Sequence, residues 1–367
     1  MKMTSRLRLS HVAEQALLAA GRGALPEEEL LRLLRCEMGV REAARILRAG
    51  GLVAFPTETV YGLGANALDA KAVERIFVAK QRPHWDPVIV HVADVEEARR
   101  LSRGWTPAAN KLADHFWPGP LTMLLLRREA IPAVCTAGRD KVGLRLPSHP
   151  VARALIAEAG VPVAAPSANR FGHTSPTTAN HVLADLDGRI DAILDAGECT
   201  MGVESTVLDP SMDPVVIYRP GGVTAEAVSE LLGAVEVAER RIGAVAVNDR
   251  DEANMAGLES PGLGIRHYAP RARVVLVESE AAMQESAVRE ACGHRVGVLL
   301  PRGWRAPAAA WKVMAWGDLE NPEMLAHELY AKLREIDGSG VEAIICPLPH
   351  DVGVGAAIRD RLRKAAK

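Results

Sequence analysis

The chain has 367 residues, more than one hydrophobic core usually serves, so two domains are expected. Hydrophobic residues make up 48% and charged residues 25%, the ordinary soluble globular mix. A net charge of −2 with no long basic run argues against a nucleic-acid surface, and no apolar run approaches the ~20 residues that a bilayer demands.

The basic start, MKMTSRLRLSHVAEQALLAAGRG, is interrupted by His11, Glu14 and Gln15, which argues against a signal peptide. Residues 11–21 read as a short amphipathic helix. A second helix is expected over 26–36, with Pro26 in its first turn and three acidic residues where the helix dipole favours them. A third, over 39–48, stops at Gly50-Gly51. The apolar run Val53-Ala54-Phe55 then ends at a proline as a strand. Asp69 is the expected N-cap of a helix that buries Val73, Ile76 and Phe77 and is closed by Pro83.

Residues 87–94 read as a strand, 95–102 as a helix, 121–128 and 141–147 as strands, and 150–160 as a helix with a glycine stop. Residues 161–169, 192–197 and 205–210 read as strands, and 224–233 as a capped helix. The connections 103–120 and 129–141 look irregular, so a twisted, mixed sheet is expected rather than a clean doubly wound one. From 234 to 272 periodicity fades and glycine, proline and charge rise, as in a linker. Alternating strands and helices return from 273. The expected division is an N-terminal helical extension (1–37), an α/β catalytic domain (38–235), a linker (236–272) and a smaller Rossmann-like α/β domain (273–367).

Five cysteines, at 36, 135, 199, 292 and 346, are odd in number and far apart, with no C-x-x-C. Neither a zinc knuckle nor a disulfide framework is suggested, and a reducing cytoplasm is the expected location. His and Cys never cluster, so no protein-held metal is expected; a divalent ion such as Mg2+, carried in by phosphates, is the metal that fits.

Four polar clusters follow apolar strands, where α/β sheets place ligands. The first is Thr57-Glu58-Thr59 with Tyr61, Gly62 and Gly64. The second is Lys80-Gln81-Arg82. The third is Ser167-Ala168-Asn169 with Ser175. The fourth is Glu204-Ser205-Thr206, followed by Arg219-Pro220-Gly221-Gly222. Small hydroxyls, an amide and glycine-exposed backbone suit phosphate oxygens, and Lys80, Arg82 and Arg219 add charge. Each cluster has a blander reading. Lys-x-Arg at a helix end complements the dipole, Pro-Ser-Ala-Asn is turn chemistry, Glu204 is a surface carboxylate, and His91 is a core histidine. Tyr268 beside His267 reads by default as an aromatic anchor between domains. The conjunction of clusters favours a polyphosphate ligand.

The motifs FPTETVYGLGANA, AKQRP with PVIVHV, GPLT, VGLRLP, PSANRFGHTSPTTA, GVESTVLD and RPGG occur in this order. In that order and spacing they resemble the YrdC-like threonylcarbamoyl-AMP synthase family, over about 38–235. SPGLGIRHYAP and GVGAAIRDRLRKAA resemble its long, two-domain members. In the linker, Leu263-Gly264-Ile265 stands where members commonly have Met-Lys-Tyr, and the first 37 residues lack a family counterpart.

The resemblance implies a nucleotidyltransferase that makes L-threonylcarbamoyl-adenylate and pyrophosphate from L-threonine, bicarbonate and ATP. Partner proteins then transfer the threonylcarbamoyl group to tRNA beside the anticodon. It further implies that Lys80 and Arg82 hold the ATP phosphates, that Ser167 and Asn169 line the nucleotide and carbamate region, and that Ser175, Arg219 and Tyr268 lie near ATP. Lys80, Arg82, Ser167 and Asn169 are thereby the expected catalytic set. Thr59, His91, Thr122, Arg145 and Ser205 are expected around threonine, with Thr57 and Tyr61 shaping that pocket and Gly62 and Gly64 letting the backbone turn away beneath it. The rival reading is an RNA-binding YrdC-like module without adenylate synthesis; the charge balance argues against tight tRNA binding. A carbamoyl-adenylate enzyme of metal-centre maturation is a third, opposed by the absence of cysteine pairs.

Overall fold

The computed structural model describes residues 3–238 and 267–367. The expected departure at Leu263-Gly264-Ile265 and most of the expected linker lie outside these residues. The first body is a 12-stranded mixed sheet among the described residues. Its order is Ser5–Arg8, Ala192–Asp195, Val53–Phe55, Gly62–Asn66, Val163–Ala164, Val90–His91, Lys141–Arg145, Leu121–Arg127, Thr206–Asp209, Val215–Arg219 and Val235–Val237, with Ser102–Arg103 added beside Leu121–Arg127. Parallel and antiparallel pairs both occur along it, so the sheet is mixed, as the irregular connections suggested.

The pleat sends successive side chains to opposite faces. Ala54, Leu63, Val90, Met123, Leu144, Ala164 and Ile193 bury one face under the helices Ala70–Lys80, Pro107–Phe116 and Ala179–Leu186. Val53, Phe55, Val163, Ala192 and Leu194 bury the other face, at one end of the sheet, under Glu27–Cys36, Met38–Arg48 and Pro150–Ala159. Toward the other end that second layer stops. There Ile89, Leu124 and Val207 form only a small apolar patch. Thr122, beside Leu124 in parity, and His91, beside Ile89, project on this less covered face. The pocket lies here.

Several elements depart from expectation. The N-terminal segment is not helical throughout: Ser5–Arg8 is a parallel edge strand on Ala192–Asp195. Its helices His11–Gly21 and Glu27–Cys36 follow, the second burying Leu30 and Leu34 against the sheet's helical layer. The stretch 103–120 contains the helix Pro107–Phe116, capped by Thr106 Oγ1 on the Ala109 N–H. Gly62–Asn66 is a central strand rather than a turn, and neither Gly62 nor Gly64 has positive φ. A Cβ on Gly64 would sit 2.9 Å from Phe55 Cε1 and Val163 Cγ1, so this glycine is there for close strand packing. The expected strands at 87–94 and 161–169 shrink to Val90–His91 and Val163–Ala164. Their flanking groups bond irregular backbone instead, Val88 N–H to Cys135 O and Leu63 N–H to Pro166 O. The helix before Pro83 ends earlier, at Gln81 in the left-handed region with φ of 56°.

The second body is a four-stranded parallel sheet, ordered Arg273–Val277, Ala343–Pro347, Val296–Leu300, Lys312–Ala315. Helix Glu280–Ala291 covers one face, and Pro322–Gly338 with Val354–Ala365 the other. The latter core does not stop at this body: Val60 and Val203 of the first body pack in the same cluster as Leu329, Tyr330 and Ile358. No described helix is long and apolar enough to cross a membrane, and all five cysteines are free.

Leu34 is fully buried in the core shared by the N-terminal helices and the sheet. Truncating a buried leucine typically costs 2–5 kcal/mol. Leu34→Ala is therefore expected to destabilise the whole first body by about 3 kcal/mol, read as a shifted but still single urea transition. An unmoved main transition would mean that the segment is a detachable appendage.

Candidate active site

The stretch after Phe55 turns sharply, and its turn is held by a threonine. Thr57 Oγ1 accepts from the Thr59 and Val60 N–H groups, both at 3.2 Å, and lies 2.7 Å from Val60 O. Thr57 is thus mostly occupied in shaping the loop, as serine and threonine often are in turns. Its hydroxyl is also 2.8 Å from that of Thr59. Thr59 Oγ1 in turn accepts from Arg145 Nη2 at 3.0 Å.

Arg145 comes from the end of strand Lys141–Arg145, beside His91 in the parallel ladder. Its Nη2 also donates to Glu58 Oε1 at 2.7 Å, and its Nε to Gly119 O at 3.3 Å. Burial alone pushes the Glu58 carboxyl up, but the charge of Arg145 and its hydrogen bonds outweigh this and leave it below the usual carboxylate range. Among the described residues Arg145 Nη1 has no partner, so one donor edge of this guanidinium is left for a ligand. His91 is held at about 3 by burial and then by Arg145, so its ring is neutral. Thr122 and Ser205 share a hydroxyl contact of 2.8 Å across neighbouring parallel strands.

Next to this group, cations converge. Arg82 donates to Asp86 O at 3.0 Å and Pro87 O at 2.8 Å and pairs with the Asp86 carboxylate at 2.9 Å. Arg219 donates twice to Ser205 O, at 3.1 and 2.9 Å, and once to Ser205 Oγ at 3.1 Å. Lys80 Nζ donates to the carbonyls of Ser167 and Asn169. Burial first, and then Arg82, hold the Lys80 ammonium well below its usual value. His267 is likewise held low, by burial and then by Arg82, Lys80, Lys364 and Arg219. Such mutual repulsion among buried cations makes a ready anion site.

One cavity joins the two groups. Thr57, Thr59, His91 and Arg145 line it, and so do Arg82, Ser167, Ser205, Arg219 and Tyr268. Other expected residues stand one layer behind. Lys80 props the Ser167–Asn169 loop, and Asn169 Nδ2 donates to Arg170 O and His173 O while its Oδ1 is buried without a hydrogen-bond partner. Ser175 donates to Glu204 Oε1 at 2.5 Å, and Thr122 backs Ser205. Tyr61 faces away: its hydroxyl donates to Gly197 O at 2.7 Å, and it does not line the cavity.

The structure also gives roles to Glu58, Glu204 and His267, which the resemblance did not place among the site residues. Glu58 positions Arg145. Glu204 is not at the surface but only 6% exposed, and it lines the cavity. Its carboxylate takes the Tyr330 hydroxyl at 3.0 Å and Arg361 Nε at 2.6 Å, both from the second body. His267 lines the cavity beside Tyr268, so that pair is part of the site wall as well as an anchor. Tyr268 holds a φ of 62° and stacks on Tyr330 at 6.1 Å. An arginine within an amphipathic terminal helix carries no signal in the sequence that it turns inward.

The comparisons with known proteins bear on this architecture directly. Residues 45–221 match the family model described as "Telomere recombination", and residues 223–367 match "Threonylcarbamoyl-AMP synthase, C-terminal domain". The threonylcarbamoyl-AMP synthase of Pyrococcus abyssi is 42% identical over 336 residues, spanning 90% of this chain and 94% of that protein. This chain belongs to the threonylcarbamoyl-AMP synthase family. The Bacillus subtilis synthase is also 42% identical, over 89% of this chain and 92% of its own length. The crystal structure of P. abyssi Sua5 complexed with L-threonine superposes with a TM-score of 0.83 at 38% identity, covering all of this chain and 98% of its own.

The orientation of Tyr61 generates a prediction. Tyr61→Phe removes one buried hydrogen bond, so stability is expected to fall by about 1 kcal/mol, measured by urea unfolding. The KM for an amino-acid substrate should stay within about twofold, which corresponds to less than about 0.4 kcal/mol of binding, because the hydroxyl does not reach the cavity. A tenfold rise in that KM at unchanged stability would put the hydroxyl back in the pocket.

Proposed function

We propose that the chain is an L-threonylcarbamoyladenylate synthase acting on L-threonine, bicarbonate and ATP, releasing pyrophosphate and supplying the threonylcarbamoyladenosine modification of tRNA through separate transfer proteins. The observation that carries this reading is the single cavity that joins a hydroxyl-lined arginine, Arg145, to the buried arginines Arg82 and Arg219. An amino acid has one carboxylate for Arg145, and a nucleotide has the phosphates for Arg82 and Arg219.

The reaction balances in two steps. The threonine amine attacks the carbon of bicarbonate and water leaves, giving a carbamate. A carbamate oxygen then attacks the α-phosphorus of ATP, its P–O bond to the β-phosphate breaks, and pyrophosphate departs. Arg145 orients the amino acid through its free edge, with Glu58 fixing the guanidinium and Thr59 and His91 beside it. Arg82 and Arg219 neutralise charge on the phosphates, Ser167 offers them a hydroxyl donor, and Lys80 holds the Ser167–Asn169 loop toward them. A divalent ion fits this site as cargo of the phosphates, because the one carboxylate on the cavity wall among the described residues, Glu204, is engaged by Ser175, Tyr330 and Arg361.

The deciding assay is pyrophosphate release from ATP by the full chain. Release should require both threonine and bicarbonate. Equal release with either omitted would overturn the reading. Thr59→Val removes the hydroxyl that Arg145 holds, and a charge-assisted bond is worth about 1.5–3 kcal/mol. The KM for threonine should therefore rise at least about tenfold, with the KM for ATP within about twofold. Equal loss for both substrates would assign this loop to the phosphates instead.

A further inference from the structure

Glu204 stands in the loop between the pocket's two groups, immediately before Ser205. Ser205 is the residue whose carbonyl takes two bonds from Arg219 and whose hydroxyl meets Thr122. Where Glu204 sits therefore decides where Ser205 and Arg219 sit. Of the three side chains that satisfy its carboxylate, only Ser175 belongs to the first body. Arg361, 1% exposed on the last helix, does more than close an ion pair. Its Nη2 donates to Pro220 O at 3.0 Å, in the turn that follows Arg219. Its guanidinium lies 5.0 Å from the ring centroid of Tyr268. Asp360 and Lys364 complete the charge balance beside it.

One side chain thus touches three segments of the cavity wall: 204–205, 219–222 and the Tyr268 segment. The packing leaves little room for an alternative placement. A Cβ on Gly221 would fall 2.4 Å from Glu204 O, and one on Gly202 would fall 2.2 Å from Ala326 O on helix Pro322–Gly338. By contrast, Arg145, Thr59 and Glu58 draw their hydrogen-bond partners among the described residues from the first body alone.

We infer that Arg361 is a positioning residue for the nucleotide end of the pocket, set by the second body and acting through Glu204 and the Pro220 turn. This rests on the function proposed above. The second body then completes the ATP site without contributing a group that touches the reacting atoms.

The test uses the full chain and Arg361→Lys, which keeps the buried charge but loses the fork that spans Glu204 and Pro220. Threonine-dependent pyrophosphate release gives both Michaelis constants, calorimetry gives the Kd for ATP alone, and thermal unfolding gives Tm. The expected result is an ATP KM and Kd raised about tenfold or more, a threonine KM raised by a smaller factor because Ser205 is shared with the amino-acid end, and a Tm within a few degrees of the parent. Unchanged ATP constants, or losses for both substrates that track a fallen Tm, would overturn it. If Arg361→Lys does not fold, the pair Arg361→Met with Glu204→Gln removes the charge on both sides. Recovery of folding with ATP still weakened about tenfold supports the positioning role; recovery of parental ATP binding defeats it. A parent chain that releases no pyrophosphate would sink the functional reading itself, a different outcome from an active parent with an indifferent Arg361.

Discussion

Three cations cannot be taken out of water in one place unless something answers their charge, and this requirement organises the pocket. Lys80, Arg82 and Arg219 are 1%, 7% and 5% exposed. Desolvating them is costly. The chain offsets much of that cost with backbone carbonyls: Ser167 and Asn169 for Lys80, Asp86 and Pro87 for Arg82, Ser205 for Arg219. Each set belongs to a different loop at a strand end. The bonds that make the cations tolerable are thus the bonds that fix the loops, and the positive field left over is aimed at the cavity. A polyphosphate arriving there meets dipoles and charges that need little rearrangement.

Beside Asp86, which pairs with Arg82, two further buried carboxylates complete the arrangement, and they divide it. Glu58 is answered within the first body, by Arg145 and the His149 N–H. Glu204 is answered largely from the second, by Arg361 and Tyr330. Burial works against the ionised form of both, and in both the nearby arginine charge together with hydrogen bonds prevails. Arg145 at the amino-acid end is therefore fixed within the first body, whereas Arg219, and Ser205 that joins the two ends, depend on contact between the bodies. The shared apolar cluster of Val60, Val203 and Tyr330 makes that contact a core rather than a loose docking surface.

The sequence was most legible where local rules act without competition. Asp69, Thr224 and Ser279 each cap a helix where a cap was expected or a helix was read, and Leu121–Arg127 declares itself by an unbroken apolar run. Gly62–Asn66 was opaque because its small residues carry no alternation; its place in the sheet is set by what Phe55 and Val163 leave room for. Ser5–Arg8 has exposed or half-exposed side chains throughout, so no buried face announced it. Within the site, ordered motifs gave the residues that line the cavity but not their depth. Lys80, Ser175 and Thr122 fell one layer back, and Tyr61 faced away, since residue type does not encode which hydroxyl or amine finds a carbonyl first. Arg361 was invisible for a further reason: its partners lie more than a hundred residues away, in loops brought to it only by the packing of two bodies.

The titration states constrain how such a pocket does chemistry. His91 and His267 are both held below their ordinary range, by burial before any other cause. Glu204, on the wall, is held down by Arg361 and Arg219 against its burial, with its oxygens engaged by hydrogen bonds. A carboxylate so stabilised is a poor proton acceptor, and so is a histidine whose neutral form is already strongly favoured. Among the described residues the wall therefore presents no group tuned to take a proton near neutrality. On the function proposed above, that suits the second step alone, attack by an already anionic carbamate oxygen on a phosphorus whose leaving group is also an anion. Such a step gains more from fixed positive charge and alignment than from base catalysis. On the function proposed above, that is the role of holding Arg82, Arg219 and Arg145 in place.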